Sequence, residues 1–478
     1  MDADVIVVGA GPVGLMLAGE LRLGGAEVVV LERLAEPADE SRASTLHART
    51  MEILDQRGLL AELGTPPNDG MGHFGGVPLD LTGLDTPYPG QWKVPQTRTE
   101  ELLGRWAAGL GADIRRDHEV TALTDTPDGV QVEVAGRGAL HAAYLVGCDG
   151  QDGAVRGLAG FGFPGADATR ELLRADVAGI EVPDRRFERL PAGLAIAARR
   201  ADGVTRVMVH ESGRTVPDRV GDPTFADVVK AWERVTGEDI GGGTPLWVNA
   251  FDNTRRQAEE YRRGRVLLAG DAAHRQMPVG GQALNLGLHD AVNLGWKLAA
   301  VVRAQAPPEL LDTYHDERHA VGRRVLDNIE AQTLLLLGGA EVDATRKVLA
   351  ELIDLPRARD RLAGMITGLD VRYPAEPADH ALAGLRLPPT ELRTADGTTT
   401  TTTALLRSGR GLLLDLGAGA DDASPWSDRV DVVRAEPPAS GPLAGIGAVL
   451  VRPDGHVAWV SGADDGPRAA LRRWFGDG

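Results

Sequence analysis

Short apolar runs alternate with amphipathic stretches along most of the chain, a pattern typical of α/β proteins. The run over residues 4–8 is apolar from Val5 to Val8, which predicts a strand buried on both faces in a parallel sheet. A helix is expected over about 12–23 and a second strand over 27–32. This order of strand, helix and strand predicts a Rossmann-like first domain.

A second unit of strand, turn and helix lies about 260 residues further on. The apolar run 266–269 ends at Gly270-Asp271, and a glycine-rich turn then leads to a long helix after Asn285. Apolar residues recur in that helix at intervals of three or four, so one of its faces is expected to be buried. The turn would bring backbone N–H groups, a helix N-terminus and a carboxylate together, which suits an anion or the polar edge of a ring.

The middle of the chain changes character, because strand-like runs over 166–262 alternate with turns and only one amphipathic helix, near 225–235, is indicated. We expect a separate mixed sheet there that covers a ligand. Two long helices follow, over 308–337 and 342–369, and the last stretch alternates strands with a final helix. The expected domains are a discontinuous first domain (1–165 and 263–375), an inserted substrate-binding sheet domain (166–262) and a C-terminal α/β domain (390–478).

Composition excludes several classes of protein. With 43% hydrophobic and 25% charged residues, the 478-residue chain is expected to be a soluble protein of several domains. It has no apolar run that spans a bilayer and no basic stretch before the first strand, so a cytoplasmic protein is expected. The net charge of −18 argues against nucleic acid or membrane as a partner. Because Cys148 is the only cysteine, a disulfide, a cysteine-based metal site and a redox cysteine pair are excluded, and no metal is expected.

The turn after the first strand carries the GxGxxG motif, with glycine at positions 9, 11 and 14. Gly9 permits a tight turn, Gly11 lets a pyrophosphate approach the backbone, and Gly14 lets helix and strand pack closely. Glu32 closes the next strand, where a carboxylate can accept both ribose hydroxyls of an adenosine. The motif does not distinguish FAD from NAD, and a glycine-rich loop without a ligand is the alternative.

Three motifs follow one another in a defined order: GxGxxG with Glu32, then Cys148-Asp149-Gly150, then Gly270-Asp271. In this the chain resembles the FAD-dependent aromatic hydroxylases of the para-hydroxybenzoate hydroxylase type, most of all the branch that acts on aromatic polyketides such as angucyclines. The resemblance covers nearly the whole chain. It implies a thioredoxin-like fold for the C-terminal domain, which here lacks redox cysteines.

The resemblance implies where FAD would bind. The GxGxxG turn would hold the pyrophosphate, Glu32 the adenosine ribose, Asp271 the ribityl or pyrophosphate region, and Gly281 to Asn285 the isoalloxazine edge. Gln96 precedes Thr97, where a capping box is expected to start a helix. Arg33, Arg42 and Gln96 could equally be solvated surface residues. The complete expected cofactor set is Gly9, Gly11, Pro12, Val13, Gly14, Glu32, Arg33, Arg42, Gln96, Val120, Asp149, Asp271, Pro278, Gly281, Ala283, Leu284 and Asn285.

The implied activity is that of a FAD-dependent NAD(P)H monooxygenase of antibiotic biosynthesis, acting as a monomer or homodimer. NADPH would bind transiently, since the chain has no second unit in which a strand, a GxGxxG turn and a helix follow one another, and would reduce the flavin. O2 would then form a flavin hydroperoxide that hydroxylates a small-molecule polycyclic aromatic polyketide, or inserts oxygen in Baeyer–Villiger fashion. The cofactor carries the chemistry, so no catalytic side chain is assigned.

Two alternatives to a monooxygenase remain open at this point. One is a degenerate flavoprotein homologue that catalyses a non-redox step on such a polyketide or only binds it. The other is a disulfide or quinone reductase with two nucleotide folds. The missing second nucleotide motif and the single cysteine disfavour this second alternative.

The chain departs from the family pattern at five positions. Asp152 and Gly153 stand where an arginine and a serine usually follow the Asp-Gly motif, and Asp152 is expected to slow flavin reduction by repelling the phosphates of NADPH. The alternative is that this loop is merely solvated. Arg275 and Gln276 replace apolar or histidine residues. Ala283 replaces the last glycine of a Gly-Gly-Gln-Gly turn, where its methyl group is expected to shift the backbone near the flavin.

Overall fold

The computed structural model describes residues 1–38, 43–214, 216, 221, 223–375, 380–419, 423–462 and 466–478. The α-helices in chain order are α1 Pro12–Leu23, α2 Ala48–Gln56, α3 Leu60–Leu63, α4 Gln96–Gly109, α5 Ala154–Leu158, α6 Phe225–Thr236, α7 Gln282–Val302, α8 Asp312–Leu337, α9 Asp343–Ile353, α10 Pro356–Thr367, α11 Thr402–Leu405 and α12 Arg468–Phe475. Short 3-10 turns lie at Gly270–Ala272, Val279–Gly281, Pro308–Leu311, Ala340–Val342 and Ser424–Trp426.

The strands of the first half are β1 Ala3–Val8, β2 Val28–Glu32, β3 Thr45–His47, β4 Asn68–Asp69, β5 Met71–Phe74, β6 Val77–Asp80, β7 Gln91–Lys93, β8 Asp113–Arg116, β9 Val120–Thr126, β10 Gly129–Val134, β11 Gly138–Gly147, β12 Gly165–Ala166, β13 Glu171–Ala178, β14 Arg185–Leu190, β15 Gly193–Arg199 and β16 Val204–Glu211. The remaining strands are β17 Thr244–Asp252, β18 Arg255–Gln257, β19 Arg262–Arg263, β20 Val266–Leu268, β21 His274–Arg275, β22 Glu391–Arg393, β23 Thr399–Thr401, β24 Gly411–Asp415, β25 Val430–Arg434, β26 Ala448–Val451 and β27 Val457–Val460.

A parallel sheet forms the core of the nucleotide-binding part. Its strands lie in the order β20, β11, β1, β2 and β8, all parallel, with β19 antiparallel at one edge and the β9–β10 meander attached to β11. The predicted Rossmann-like order is therefore confirmed. Helix α1 packs against α7, so the helices that follow the two glycine-rich turns lie side by side on this sheet. Cys148 is buried at the end of β11, and burial raises the pKa of its thiol well above the ordinary value.

The inserted sheet has the strand order β14, β15, β16, β13 and β17. Every pair in it is antiparallel, so the expectation of a mixed sheet was wrong; short turns join β14 to β15 and β15 to β16, and such turns can link only antiparallel neighbours. One face packs on α6. The opposite face, called the inner face below, includes Leu172, Arg174, Asp176, Leu194, Ile196, Arg206, Met208, His210, Trp247, Asn249 and Phe251.

The inner face meets the nucleotide-binding part of the chain. Leu172 and Leu194 share one apolar cluster with Met277, Val279 and Leu286, which border the second glycine-rich turn. Aliphatic side chains of the inner face therefore lie next to the second glycine-rich turn. That the sheet covers a ligand stays a prediction, as do the exact domain boundaries.

The helices beyond α7 differ in one respect from the sequence-based expectation. A single helix was expected over 342–369, but the structure has α9 and α10 with a break at Asp354 and Leu355. Pro356 occupies the first turn of α10, where its missing N–H costs nothing, whereas inside a continuous helix it would remove a hydrogen bond.

The C-terminal sheet has the order β25, β24, β26 and β27. Strands β24 and β25 are parallel, and the other two pairs are antiparallel. One side of this sheet packs on α12 and on Trp296 of α7, and the other side has its own apolar cluster. The thioredoxin-like fold expected for this domain stays a prediction. No helix in the described part of the chain is long and apolar enough to cross a membrane.

Candidate cofactor site

Packing explains why two of the three glycines of the GxGxxG turn have no side chain. Gly9 has φ +104°, and a Cβ there would lie 2.5 Å from the carbonyl oxygen of Cys148. A Cβ at Gly14 would overlap the carbonyl oxygen of Gly9, whereas no described atom lies within 4 Å of the Cβ position at Gly11. The first and third glycines are therefore required by packing, and the middle one borders open space that a dinucleotide can approach.

The two glycine-rich turns meet at Val13. Helix α1 begins at Pro12, and its N-cap residue Gly11 has no side chain that could bond to the first N–H groups of the helix. The next residue, Val13, would lie 3.0 Å from a Cβ placed at Gly270 and 2.7 Å from one placed at Gly287. Segments about 260 residues apart in sequence thus come together at the N-terminus of α1. Such a terminus favours anionic groups.

The Glu32 carboxylate is held at the end of β2. One of its oxygens accepts a hydrogen bond from the Ala10 N–H at 2.8 Å, and the other accepts one from the Leu34 N–H at 2.9 Å. These bonds orient the carboxylate beside the GxGxxG turn and leave lone pairs for two ribose hydroxyls. Arg33 is exposed next to it, and Val120 is buried in the core at the start of β9. Arg42 lies outside the described residues.

Gln96 has a local structural role. Its Nε2 donates to Glu100 at 2.8 Å, and its Oε1 accepts from the Ala43 N–H at 3.2 Å. Helix α4 begins at Gln96 itself, after Pro95, without a side-chain cap. The capping box expected at Thr97 was therefore wrong, because the glutamate of that motif pairs with the glutamine side chain instead of a backbone N–H.

The Asp-Gly loop explains one departure from the family pattern. Asp149 accepts a hydrogen bond from the Val155 N–H at 2.9 Å and so caps α5, while burial raises the pKa of its carboxyl group. A Cβ at Gly153 would overlap the Asp149 carboxylate, so glycine suits that position. Arg156 donates to the Ala272 carbonyl at 3.0 Å, which ties this loop to the Gly-Asp turn. Asp152 is exposed.

A buried network of charged side chains supports the Gly-Asp turn. Asp290 of α7 accepts hydrogen bonds from the Gly270 N–H at 3.1 Å, from His274 Nε2 at 2.8 Å and from Arg318 Nε at 2.7 Å. Burial by itself would raise the pKa of Asp290, but Arg318 and His274 outweigh that effect and hold the pKa below its ordinary value. Asp271 is exposed in the turn that this network supports.

In the turn before α7, Gly280 and Gly281 have left-handed backbone, with φ of +69° and +70°. Helix α7 begins at Gln282, so Ala283 lies in its first turn and has no positive φ. The expectation that Ala283 distorts this backbone was therefore wrong, because the two positions that need glycine still have it. Pro278 is exposed before the turn, and Leu284 packs against the main core.

The Asn285 side chain is fully occupied by protein partners. Its Oδ1 accepts from the His47 N–H at 2.9 Å and from Thr50 Oγ1 at 2.6 Å. Its Nδ2 donates to the carbonyls of Thr45 at 3.0 Å and Gly281 at 2.8 Å. Asn285 therefore fastens the glycine turn to β3 and α2, and its contact with flavin stays a prediction.

Sequence reasoning missed the residues that support these turns. No role was predicted for Asp290, Arg318 or Thr50, whose partners lie between 16 and 235 residues away in the chain. The one available signal was the pair of polar residues His274 and Asp290 within otherwise apolar segments. Within the parts of the chain that the structure describes, no group of His, Cys, Asp and Glu could hold a metal ion.

Comparisons with known proteins agree with this geometry. A model of the FAD binding domain family matches residues 2–329, and one of the aromatic-ring hydroxylase C-terminal domain matches residues 380–478. A 12-dehydrotetracycline 5-monooxygenase/anhydrotetracycline 6-monooxygenase of Streptomyces rimosus is 45% identical over 508 residues, which cover 100% of this chain and 99% of that protein. The dialkyldecalin synthase of Streptomyces rugosporus is 41% identical over 485 residues, covering 100% and 99%.

Among solved structures, CabE, an aromatic hydroxylase from angucycline biosynthesis, superposes with a TM-score of 0.96 at 51% sequence identity. The match covers 100% of this chain and 99% of that one. The likeness therefore extends through all three regions, including the C-terminal sheet.

Proposed function

This chain belongs to the family of FAD-dependent aromatic-ring hydroxylases, and we propose that it hydroxylates a polycyclic aromatic polyketide with NADPH and O2. It is a FAD-dependent monooxygenase. The observation that carries the proposal is the meeting of the GxGxxG and Gly-Asp turns at Val13, together with the apolar cluster that the inner face of the inserted sheet shares with the second glycine-rich turn. That arrangement suits a dinucleotide next to a flat apolar substrate.

The residues of this chain would bind and orient the cofactor. Glu32 would hold the adenosine ribose, and the N-terminus of α1 would hold the pyrophosphate. The N-terminus of α7 would stabilise negative charge on the reduced ring. The bound flavin, reduced by NADPH, supplies the oxygen-transfer chemistry. The apolar cluster around Met277 would exclude water from the reacting atoms.

The direct test begins with the absorption spectrum of the purified protein. We expect a yellow protein that releases FAD on heat denaturation. With anhydrotetracycline as the probe, we expect substrate-dependent oxidation of NADPH, consumption of O2 and a product heavier by one oxygen atom. A colourless protein that cannot be reconstituted with FAD would contradict the proposal.

A non-redox reaction is the second candidate, and the similarity to dialkyldecalin synthase favours keeping it. In that case the FAD-loaded protein would convert its substrate without NADPH and without O2. Parallel assays under air and under nitrogen, each with and without NADPH, separate the two functions.

We further propose a cytoplasmic enzyme, monomeric or homodimeric, that binds neither nucleic acid nor membranes. The support for this is the net charge of −18, which repels polyanions and anionic lipid surfaces. Light scattering and vesicle sedimentation would test the oligomeric state and the lack of membrane binding.

A further inference from the structure

Gln276 has a buried amide with no hydrogen-bond partner among the described residues. Neither its Nε2 nor its Oε1 is bonded, although both atoms are inaccessible to solvent. Buried polar atoms without partners are rare in folded proteins, and they mark sites where a ligand or a catalytic group makes the missing bond.

The segment that carries Gln276 is fixed against the inner face of the inserted sheet. On one side of Gln276, Arg275 forms an ion pair with Asp252, the last residue of β17, at 2.9 Å. On the other side, Met277 shares an apolar cluster with Leu172 of β13. Gln276 therefore lies where this segment crosses the ends of β13 and β17.

The same part of the inner face carries a second unsatisfied amide. Asn249 of β17 is 7% exposed, and its Oδ1 has no partner within the described part of the chain. It lies directly across from Arg174 of β13. The Arg174 guanidinium is buried and stacks on Trp247 at 3.8 Å and on Phe251 at 4.8 Å. Arg174 and Asn249 thus place polar groups on the inner face next to the rings of Trp247 and Phe251.

We propose that Gln276, Asn249 and Arg174 form a polar subsite that binds oxygen substituents of the polycyclic substrate. Gln276 and Arg174 donate to keto or phenolate oxygens, and the Asn249 Oδ1 accepts from a ring hydroxyl. The ligand class is a flat polycycle with adjacent keto and hydroxyl groups, as in a hydroxyquinone. This inference rests on the proposed function, because it describes the substrate of the same site.

A subsite of this kind discriminates strongly between ligands that have the polar substituents and ligands that lack them. A pocket built to hydrogen-bond a polar substituent rejects an analogue that lacks it, because its own buried groups are then left unpaired. The apolar side chains of the inner face bind both analogues equally. The ratio of two dissociation constants therefore isolates the contribution of the polar groups.

Equilibrium dialysis with 1,8-dihydroxyanthraquinone and with anthracene measures this ratio without NADPH and regardless of FAD content. We expect the wild type to prefer the oxygenated probe at least about tenfold, and Gln276→Met or Asn249→Leu each to reduce the preference about tenfold. The matched control is Gln131→Met, on the β10 meander away from the site, which should keep the wild-type ratio.

Protein stability separates this role from a purely structural one. Gln276→Met replaces an unpaired buried amide by an apolar side chain of similar size, so its melting temperature should not fall below that of the wild type. Unchanged preference in both variants, or no preference in the wild type, would overturn the inference. NADPH oxidation by the same preparations tests the monooxygenase function separately, so the two proposals can fail independently.

Discussion

The Asp290 carboxylate accepts a hydrogen bond from the Gly270 N–H at 3.1 Å, so a side chain of α7 fixes the turn that presents Asp271. Both partners are buried, and the same carboxylate binds His274 and Arg318. The charge of Asp290 therefore balances Arg318 in a region without solvent. This pairing connects the stability of the core to the geometry of the cofactor site.

Asp290→Asn should destabilise the protein by about 3–5 kcal/mol and weaken FAD retention, because it leaves the Arg318 guanidinium buried without its counter-charge. The measurements are urea unfolding and fluorimetric titration of apoprotein with FAD. Asp312→Asn is the matched control, since Asp312 pairs with Arg262 at 2.7 Å but is largely exposed; it should change stability by less than about 1 kcal/mol. Equal effects of the two substitutions would contradict this account.

Glu32→Gln should weaken FAD binding at least about tenfold even though the two side chains have the same shape. Both carboxylate oxygens accept hydrogen bonds from backbone N–H groups. An amide NH2 in place of either oxygen would therefore point its own hydrogens at a donor. The substitution also removes one acceptor for the ribose hydroxyls. Calorimetric titration of apoprotein with FAD measures the effect, and Glu27→Gln, at an exposed position, serves as the control. Wild-type affinity in Glu32→Gln would remove this residue from the cofactor site.

Asp152→Arg should accelerate flavin reduction by NADPH about tenfold, because it reverses one exposed charge near the expected path of the phosphates. Ala283→Gly should add nothing to the rate, since Ala283 has ordinary helical backbone, and should cost up to about 1 kcal/mol of stability. Stopped-flow reduction under nitrogen compares the wild type, the single variants and the double variant. A rate for Asp152→Arg equal to that of the wild type would support the alternative that this loop is only solvated.

The stability of the protein should depend on pH through His47. Burial lowers the pKa of His47 from 6.5 to about 4, and its Nδ1–H donates to the Ile366 carbonyl at 2.7 Å. Between these two values the unfolded chain binds a proton that the folded chain does not. The contribution of His47 to the free energy of unfolding is therefore fully present above pH 6.5 and is lost as the pH falls to about 4.

A His47→Gln variant measures this contribution. Its free energy of unfolding should fall less steeply than that of the wild type between pH 6 and 4.5, by up to about 1.4 kcal/mol per pH unit, the value for one proton. Above pH 8 the two curves should run parallel. Parallel curves over the whole range would show that His47 does not take up the proton on unfolding.

The sequence by itself determined the local parts of this protein. Gly9, Gly11 and Gly14 could be recognised because their roles depend on backbone conformation and the absence of a side chain. The strands around them were predictable because continuous apolar runs report burial on both faces. The family resemblance rested on the same short motifs and correctly indicated a flavin-dependent monooxygenase.

Only the tertiary structure decided which residues support the site. Asn285 was expected at the flavin edge, yet its hydrogen bonds to Thr45, His47 and Thr50 depend on contacts across about 240 residues of chain. Ala283 was expected to strain a turn, but the position of the α7 N-terminus places it in regular helix. The Asp290–Arg318 pair carries no sequence signal, because a buried ion pair exists only once packing has removed both charges from water.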